Sequence, residues 1–356
     1  MPTSNIRFGL LGCGRVANRY VDVFNHEVVG GTVVACVDLI VDRAKSVSNR
    51  LLSVPQFSDD FELFSRVGVD VILILTESGN HFVDSRRCLE AGFNVVIEKP
   101  VALLPKQAEE VEALAGASGL FCSVVKQNRY NPAVIKTREA LVQGRFGRIV
   151  TSSIRLRWCR YQDYYNDGWH GTWRLDGGVI AQQAIHHIDL LNNFCGPVVR
   201  LCASMTRRVN KLECEDTSVA ILEFSDGSLG TIEATTAARP ADIEASLSII
   251  GDRGAVEISG VALNEIKQWN FVDFIPGDAT VASDFSQAVP SAYGLGHGPY
   301  IQEVIDRLTS GLRVAIIRPT EAAKALKLVH AMYASVERDG WIELDSEITS
   351  SRLGRQ

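Results

Sequence analysis

Four groups of residues along this 356-residue chain have types and spacings that can do chemistry. The first is Gly12-Cys13-Gly14-Arg15-Val16-Ala17, a G-x-G-x-x-A run. Glycines let a pyrophosphate approach the backbone, and a following helix turns free N–H groups and its positive dipole end toward it. Gly12, Gly14, Arg15 and Val16 are therefore candidate dinucleotide contacts, although a plain structural turn accounts for many such patterns taken alone. The second is Asp38, which closes Val33-Val34-Ala35-Cys36-Val37 about 20 residues past the loop, where an acid can meet the adenosine ribose. A carboxylate accepts ribose hydroxyls and repels a 2′-phosphate, so NAD is favoured over NADP. The third is Glu98-Lys99-Pro100: a lysine desolvated in a crevice can exchange protons or donate to a reacting oxygen, and a solvated lysine paired with Glu98 fits the position equally. The fourth is the stretch Gly177 to Leu191, read as one glycine-preceded helix. On it Ala184, Ile185, Ile188 and Leu191 form an apolar face, and Gln182, His186, Asp189 and Asn193 line another stripe. His186, with Asp189 one turn away, is a candidate general base, or else a satisfied helix histidine without chemistry; His187 falls nearer Gln183 and Leu190.

These groups need elements to hold them, and the first third of the chain alternates in the way that supplies them. Ile6 to Leu11, Thr32 to Val37, Val69 to Leu75, Asn94 to Ile97 and Leu120 to Val125 are short apolar runs, as in strands buried on both faces of a parallel sheet. Between them the spacing predicts helices over Val16 to Phe24, Arg43 to Leu52, His81 to Ala91 and Lys106 to Ala117. This alternation reads as a doubly wound α/β domain, residues 1–126. Residues 127–356 read as a second, α+β domain. It has helices over Ala133 to Gln143, His297 to Thr309 and Thr320 to Glu337, β-rich segments from Arg148 to Ile258 whose turns predict antiparallel pairing, and a short Trp341 to Leu344 strand. The region Thr280 to Gly298 has no assignable pattern.

Composition removes several function classes. With 46% hydrophobic and 22% charged residues the chain can bury substantial cores, so disorder and disulfide-stapled scaffolds are excluded. A net charge of −6 supplies no global basic field for nucleic acid or an anionic membrane. The eight cysteines form no C-x-x-C pair and no metal-ligand spacing, so no metal is expected, and unpaired thiols fit a reducing compartment. Met1 to Leu11 lacks a signal-peptide pattern and no apolar run approaches the length of a membrane span, so a cytoplasmic location is expected.

Taken together, Gly12 to Ala17, Thr76-Glu77-Ser78-Gly79-Asn80-His81, Glu98-Lys99-Pro100, and Gly177-Gly178 followed by His186 and Asp189 resemble the Gfo/Idh/MocA family of NAD(P)-dependent oxidoreductases. The resemblance implies an N-terminal Rossmann domain followed by a large open-faced, mostly antiparallel sheet domain, with the active site between them and a homo-dimer or homo-tetramer built through the exposed sheets. It implies catalytic roles for Lys99 and His186, and cofactor contacts from Thr76, Asn80, His81, Glu98 and Lys99. Many members, inositol dehydrogenases among them, carry an aspartate four residues before the histidine; here Gln182 stands there. Lys126-Gln127-Asn128-Arg129-Tyr130, with Arg157-Trp158-Cys159-Arg160 and Gly171-Thr172-Trp173, resembles more narrowly the subgroup that oxidises UDP-N-acetylglucosaminuronic acid at its 3-hydroxyl for bacterial surface polysaccharides, a subgroup that can recycle its cofactor with 2-oxoglutarate. That likeness makes Gln127, Asn128, Arg129, Tyr130, Arg157 and Gln182 candidate substrate contacts beside Lys99 and His186. Arginines 129, 155, 157 and 160 would be handles for the substrate's anions, or ordinary salt-bridged groups. A free-sugar or inositol-type dehydrogenase and a non-catalytic NAD-binding regulator are the competing expectations.

Overall fold

A computed structural model describes residues 5–289, 291–344 and 347–355. Met1 to Ser4, the start of the N-terminal stretch read above, lie outside the described residues, as does Pro290 in the unassigned region. The chain forms two compact units, residues 1–127 with 295–323, and residues 128–294 with 324–356. The stretch 295–323, which the sequence reading groups with the second domain, thus packs in the first unit.

The first unit holds a six-stranded parallel sheet in the order β3-β2-β1-β4-β5-β6: β1 Ile6–Leu11, β2 Gly31–Val37, β3 Gln56–Ser58, β4 Val71–Ile74, β5 Asn94–Ile97 and β6 Cys122–Val124. The strand order reverses between β1 and β4, the place where open α/β sheets form a crevice at their carboxyl ends. β4 is buried along its whole length, which is why it reads as an unbroken apolar run. Helices α1 Ala17–Asp22, α2 Val41–Arg50, α3 Leu63–Val67, α4 His81–Glu90 and α5 Pro105–Ser118 connect the strands. The returning stretch is hydrogen-bonded to the edge strand β6 and to α5: Val124 N–H donates to Ile317 O at 3.0 Å, and Thr320 N–H to the Glu112 carboxylate at 2.8 Å.

The second unit holds α6 Pro132–Val142, then an eight-stranded sheet in the order β13-β12-β11-β7-β10-β9-β8-β14. Its strands are β7 Ile149–Arg157, β8 Val198–Thr206, β9 Thr217–Phe224, β10 Leu229–Thr235, β11 Glu244–Gly251, β12 Gly254–Ser259, β13 Glu265–Phe271 and β14 Ile342–Glu343. The predicted hairpins β9–β10 and β11–β12 form, but β10 runs parallel to β7, because the chain leaves the sheet after β7 and returns through other elements before β10 pairs beside it. Side chains alternate across this sheet. Ser152, Ile154 and Leu156 of β7 face inward, where α7 Val179–Gln182 and α8 Ile185–Cys195 pack on β9, β10 and β7. The opposite face leaves Val219, Ile221, Leu229 and Ile250 between 44% and 50% exposed. Part of the unassigned region forms a short helix of this unit, α9 Val281–Asp284; α10 His297–Thr309 belongs to the first unit, and most of α11 Pro319–Arg338 to the second. Among the described residues no helix is long and apolar enough to cross a membrane.

Candidate active site

In the first unit the sequence motifs converge. Gly12 to Val16 follow the end of β1, Asp38 follows β2, Thr76 to His81 follow β4, and Glu98-Lys99 follow β5, so four loops meet at the carboxyl ends of four adjacent strands. Gly12 has φ +93°, and a Cβ there would lie 2.8 Å from the Leu75 carbonyl, so only glycine lets the turn pass beside β4. Gly14 faces open space, where a Cβ would meet nothing within 4 Å; a side chain would occupy the approach that a phosphate needs. Asp38 spends one lone pair on each oxygen in holding its own loop: Oδ2 accepts Cys13 N–H and Oδ1 accepts Ile40 N–H, both at 2.8 Å. The carboxylate keeps acceptor capacity for two hydroxyls. The loop residues fit an NAD molecule.

Other expected cofactor contacts carry structure as well. His81 is buried, with Nδ1 2.6 Å from Pro100 O and Nε2 3.0 Å from Thr76 O, so it ties the β4 loop to the β5 loop. Thr76 donates to Asp84 at 2.6 Å and Asn80 to Glu77 at 2.9 Å. Glu98 is buried and accepts Tyr20 O–H at 2.8 Å and Lys99 N–H at 3.0 Å, with His297 Nε2 3.4 Å away. Burial alone would raise this carboxyl, but the His297 ring, then Lys99 and Tyr20, outweigh it and hold it at about 2. An ionised Glu98 therefore fixes the backbone of Lys99. Tyr20 and His297 are functional neighbours that sequence reasoning missed, since they stand 78 residues before and 199 residues after Glu98.

In the second unit the expected single helix is two. α7 ends at Gln182 and α8 begins at Ile185, so the stripe of Gln182 and His186 crosses a break at Gln183-Ala184. Gln182 is buried and His186 partly exposed, whereas His187 is buried against Trp158, with ring centroids 6.1 Å apart. Burial lowers the His187 pKa to about 4, which keeps that ring neutral. Asp189, expected to orient His186, is held by Arg129 through two bonds of 2.8 and 2.9 Å. Asp189 is buried and Arg129 largely so, and guanidinium and carboxylate compensate each other.

The start of α7 is fixed by a buried group that sequence reading also missed. Glu215 Oε1 accepts Ile180 N–H at 3.1 Å and Tyr333 O–H at 3.2 Å, and the Tyr333 oxygen accepts Gly178 N–H at 2.9 Å. Burial raises the Glu215 carboxyl to about 7.

The expected anion handles are committed elsewhere. Arg157 bonds Glu233 at 2.7 and 2.8 Å and Glu244 at 3.2 Å, Arg155 lies 3.5 Å from Glu244, and Arg160 lies 3.2 Å from Asp242. By the alternation of β7, Arg155 and Arg157 stand on the sheet face opposite α7 and α8. Arg157 is thus removed from the face that carries His186, where a substrate handle was expected. Asn128 and Gln127 are buried, and Tyr130 completes their short turn.

Comparison with known proteins agrees with this geometry. Residues 6–126 match the family model described as an oxidoreductase family with an NAD-binding Rossmann fold, and residues 134–257 match that of the GFO/IDH/MocA C-terminal domain. The WlbA dehydrogenase of Chromobacterium violaceum, solved in complex with NADH and UDP-GlcNAcA, is 32% identical, with a TM-score of 0.88 over 97% of each chain. That of Bordetella pertussis, also with NADH and UDP-GlcNAcA, is 31% identical with a TM-score of 0.88 over 96% of this chain and 98% of its own. The scyllo-inositol 2-dehydrogenase (NAD(+)) of Bacillus subtilis is 24% identical over 263 residues, 71% of this chain and 73% of its own. With both domains matched and a relative above 30% identity along nearly its whole length, the chain belongs to the GFO/IDH/MocA family and is an NAD-dependent oxidoreductase whose first domain is an NAD-binding Rossmann domain.

Proposed function

We propose that the protein oxidises a sugar hydroxyl to a ketone, and that its substrate is a nucleotide sugar, UDP-N-acetylglucosaminuronic acid reacting at its 3-hydroxyl. The observation that carries this reading is the likeness, above 30% identity and along almost the whole chain, to two dehydrogenases holding NADH and UDP-GlcNAcA, against 24% identity over a shorter span for an inositol dehydrogenase. Gln182, buried at the foot of the His186 helix, supports it further, since the resemblance that favours inositol asks for an aspartate there.

NAD, when bound by Gly12, Gly14, Arg15, Val16 and Asp38, supplies the hydride acceptor for the carbon that becomes a ketone. His186 takes the hydroxyl proton as general base, its ring presented by α8 and partly exposed. Lys99, whose backbone is fixed by Glu98, donates a hydrogen bond to the substrate oxygen as it gains carbonyl character. Gln127, Asn128, Tyr130 and Gln182 would contact the sugar. The half-exposed apolar side chains of β9, β10 and β11 support association of identical copies through the outer sheet face.

The test is NADH absorbance after adding UDP-N-acetylglucosaminuronate, UDP-N-acetylglucosamine, glucose or inositol to the NAD-loaded protein, with and without 2-oxoglutarate. UDP-N-acetylglucosaminuronate should reduce NAD well and the free polyols barely, because binding energy remote from the reacting carbon is what positions it. Equal turnover of inositol overturns the nucleotide-sugar reading.

A further inference from the structure

A nucleotide sugar brings a diphosphate, and the four arginines that the sequence offers for it are already paired with carboxylates in the second unit. The same unit contains a cavity of about 470 Å³ bounded by the loop between β8 and β9, lined by Arg207, Arg208 and Lys211 of that loop together with Tyr165, His170 and Thr172. The volume is that of ordinary small-molecule sites. Among the described residues no carboxylate pairs with Arg208 or Lys211, and Arg207 donates to Leu212 O. Glu213 is the one carboxylate lining the cavity, and its Oε2 already accepts Trp173 N–H at 2.9 Å. Three cations thus face one anion.

The loop is also held in place. Buried Asp216 accepts the N–H groups of Arg208, Val209 and Asn210 at 2.9 to 3.3 Å and the Thr217 hydroxyl at 3.0 Å. Asn210 donates to Arg160 O at 3.0 Å and accepts from Arg239 at 3.1 Å, and Gly171 O accepts the N–H groups of Glu213 and Cys214. An anion would meet cations on a backbone that needs no reordering, which lowers the cost of binding. His170 of the lining lies against Tyr164, ring centroids 4.3 Å apart, and the Tyr164 oxygen accepts from Gln183 at 3.4 Å. Val179 N–H donates to Glu215 O at 3.2 Å. Residues beside the cavity lining, Tyr164 and Glu215, are therefore hydrogen-bonded to the two ends of α7, in the unit that carries His186.

We propose that this cavity is the diphosphate subsite, with Arg208 and Lys211 as the principal counter-charges and Tyr165 and His170 as an aromatic wall beside the nucleoside. The proposal rests on the nucleotide-sugar reading above. It is tested by calorimetric titration of the NAD-loaded protein with UDP, with NADH binding to the protein stripped of cofactor as the folding control, for the unmutated chain, Arg208→Gln/Lys211→Gln, and Arg208→Lys. Loss of two charge-assisted contacts should weaken UDP by about tenfold or more, Arg208→Lys should recover part of it, and NADH affinity should not change. With UDP-N-acetylglucosaminuronate the double variant should raise KM far more than it lowers kcat. UDP-N-acetylglucosamine, which lacks the carboxylate, should suffer the same loss; if only the carboxylate-bearing sugar is weakened, the cations read the carboxylate and the diphosphate assignment is overturned. UDP binding undiminished in the double variant overturns the subsite and leaves the nucleotide-sugar reading standing. Failure of the unmutated protein both to bind UDP and to reduce NAD with UDP-N-acetylglucosaminuronate overturns the reading beneath it.

Discussion

Glu215 makes the stability of this protein depend on pH in a way that one substitution should abolish. The carboxyl is buried, one oxygen bound by Ile180 N–H and the Tyr333 hydroxyl, and Oε2 has no hydrogen-bond partner among the described residues. Burial, aided by the neighbouring Asp216 charge, raises its pKa from the ordinary 4.5 to about 7 against the opposing effect of its hydrogen bonds. At about 1.4 kcal/mol per tenfold change, a change of about 2.5 in pKa corresponds to about 3 kcal/mol. A raised folded pKa means that the folded state holds its proton more tightly than the unfolded one. The contribution is fully present below about 4.5 and is lost as pH rises through about 7. Glu215→Gln keeps an oxygen for Ile180 N–H and Tyr333 O–H but cannot ionise. Urea unfolding of both proteins at pH 5 and pH 8.5 reads the difference directly, and groups common to both, including buried His187, cancel in it. The unmutated protein should lose roughly 2 to 3 kcal/mol more than Glu215→Gln over that range. Parallel pH profiles for the two proteins would refute the reasoning, since they would mean that Glu215 is equally charged in the folded and unfolded chains.

Asp38→Ser should narrow the preference for NAD over NADP by about tenfold or more, measured by fluorescence titration, because it removes a charge that repels a 2′-phosphate; tighter NADP binding by the unmutated protein would sink that assignment. His186→Asn should cut turnover roughly 10²- to 10⁴-fold with NAD affinity near normal. His187→Asn should instead lower the melting temperature, since it exchanges one buried ring packed on Trp158 for a smaller polar group; the reverse pattern would show that the roles of the two histidines are exchanged. Ile221→Glu, placed on the outer face of the second sheet, should shift the particle toward monomer in size-exclusion chromatography with light scattering, and an unchanged mass would remove that face from the assembly.

What the sequence made legible was what local physics decides. The bounds of Ile6–Leu11, Asn94–Ile97 and His297–Thr309 coincide with those expected, because burial on both faces or a strong 3.6-residue period leaves few other solutions. The glycine loop, Asp38 and the Lys99 turn were legible because each occupies a fixed place relative to a strand end. β3 and α3 escaped because three and five residues carry too little period to detect, and β13 because its pattern is broken by polar residues on both faces. The break between α7 and α8 escaped because an apolar stripe runs through it undisturbed, and the start of α7 escaped because Glu215 and Tyr333 fix it from elsewhere in the chain.

Charge was the least legible feature, for a physical reason. An arginine's availability is decided by partners far along the chain: Arg129 by Asp189, Arg157 by Glu233, Arg160 by Asp242. Each pairing spends the guanidinium's directional donors, and for the largely buried Arg129 a second anion would have to compete with a carboxylate already desolvated beside it, at a cost of several kcal/mol. Arg208 and Lys211 look in the sequence like any solvated turn charges. They differ because Asp216, one residue before a strand, gathers three consecutive N–H groups and turns that loop's cations toward a cavity. The same sheet alternation explains the division of labour among the basic residues. Odd-numbered positions of β7 put Arg155 and Arg157 on the outer face among Val219, Ile221 and Glu233, where ion pairs flank an apolar surface suited to a second copy of the chain. The loops at the strand ends obey no such alternation, and one of them carries the cations of the proposed diphosphate subsite.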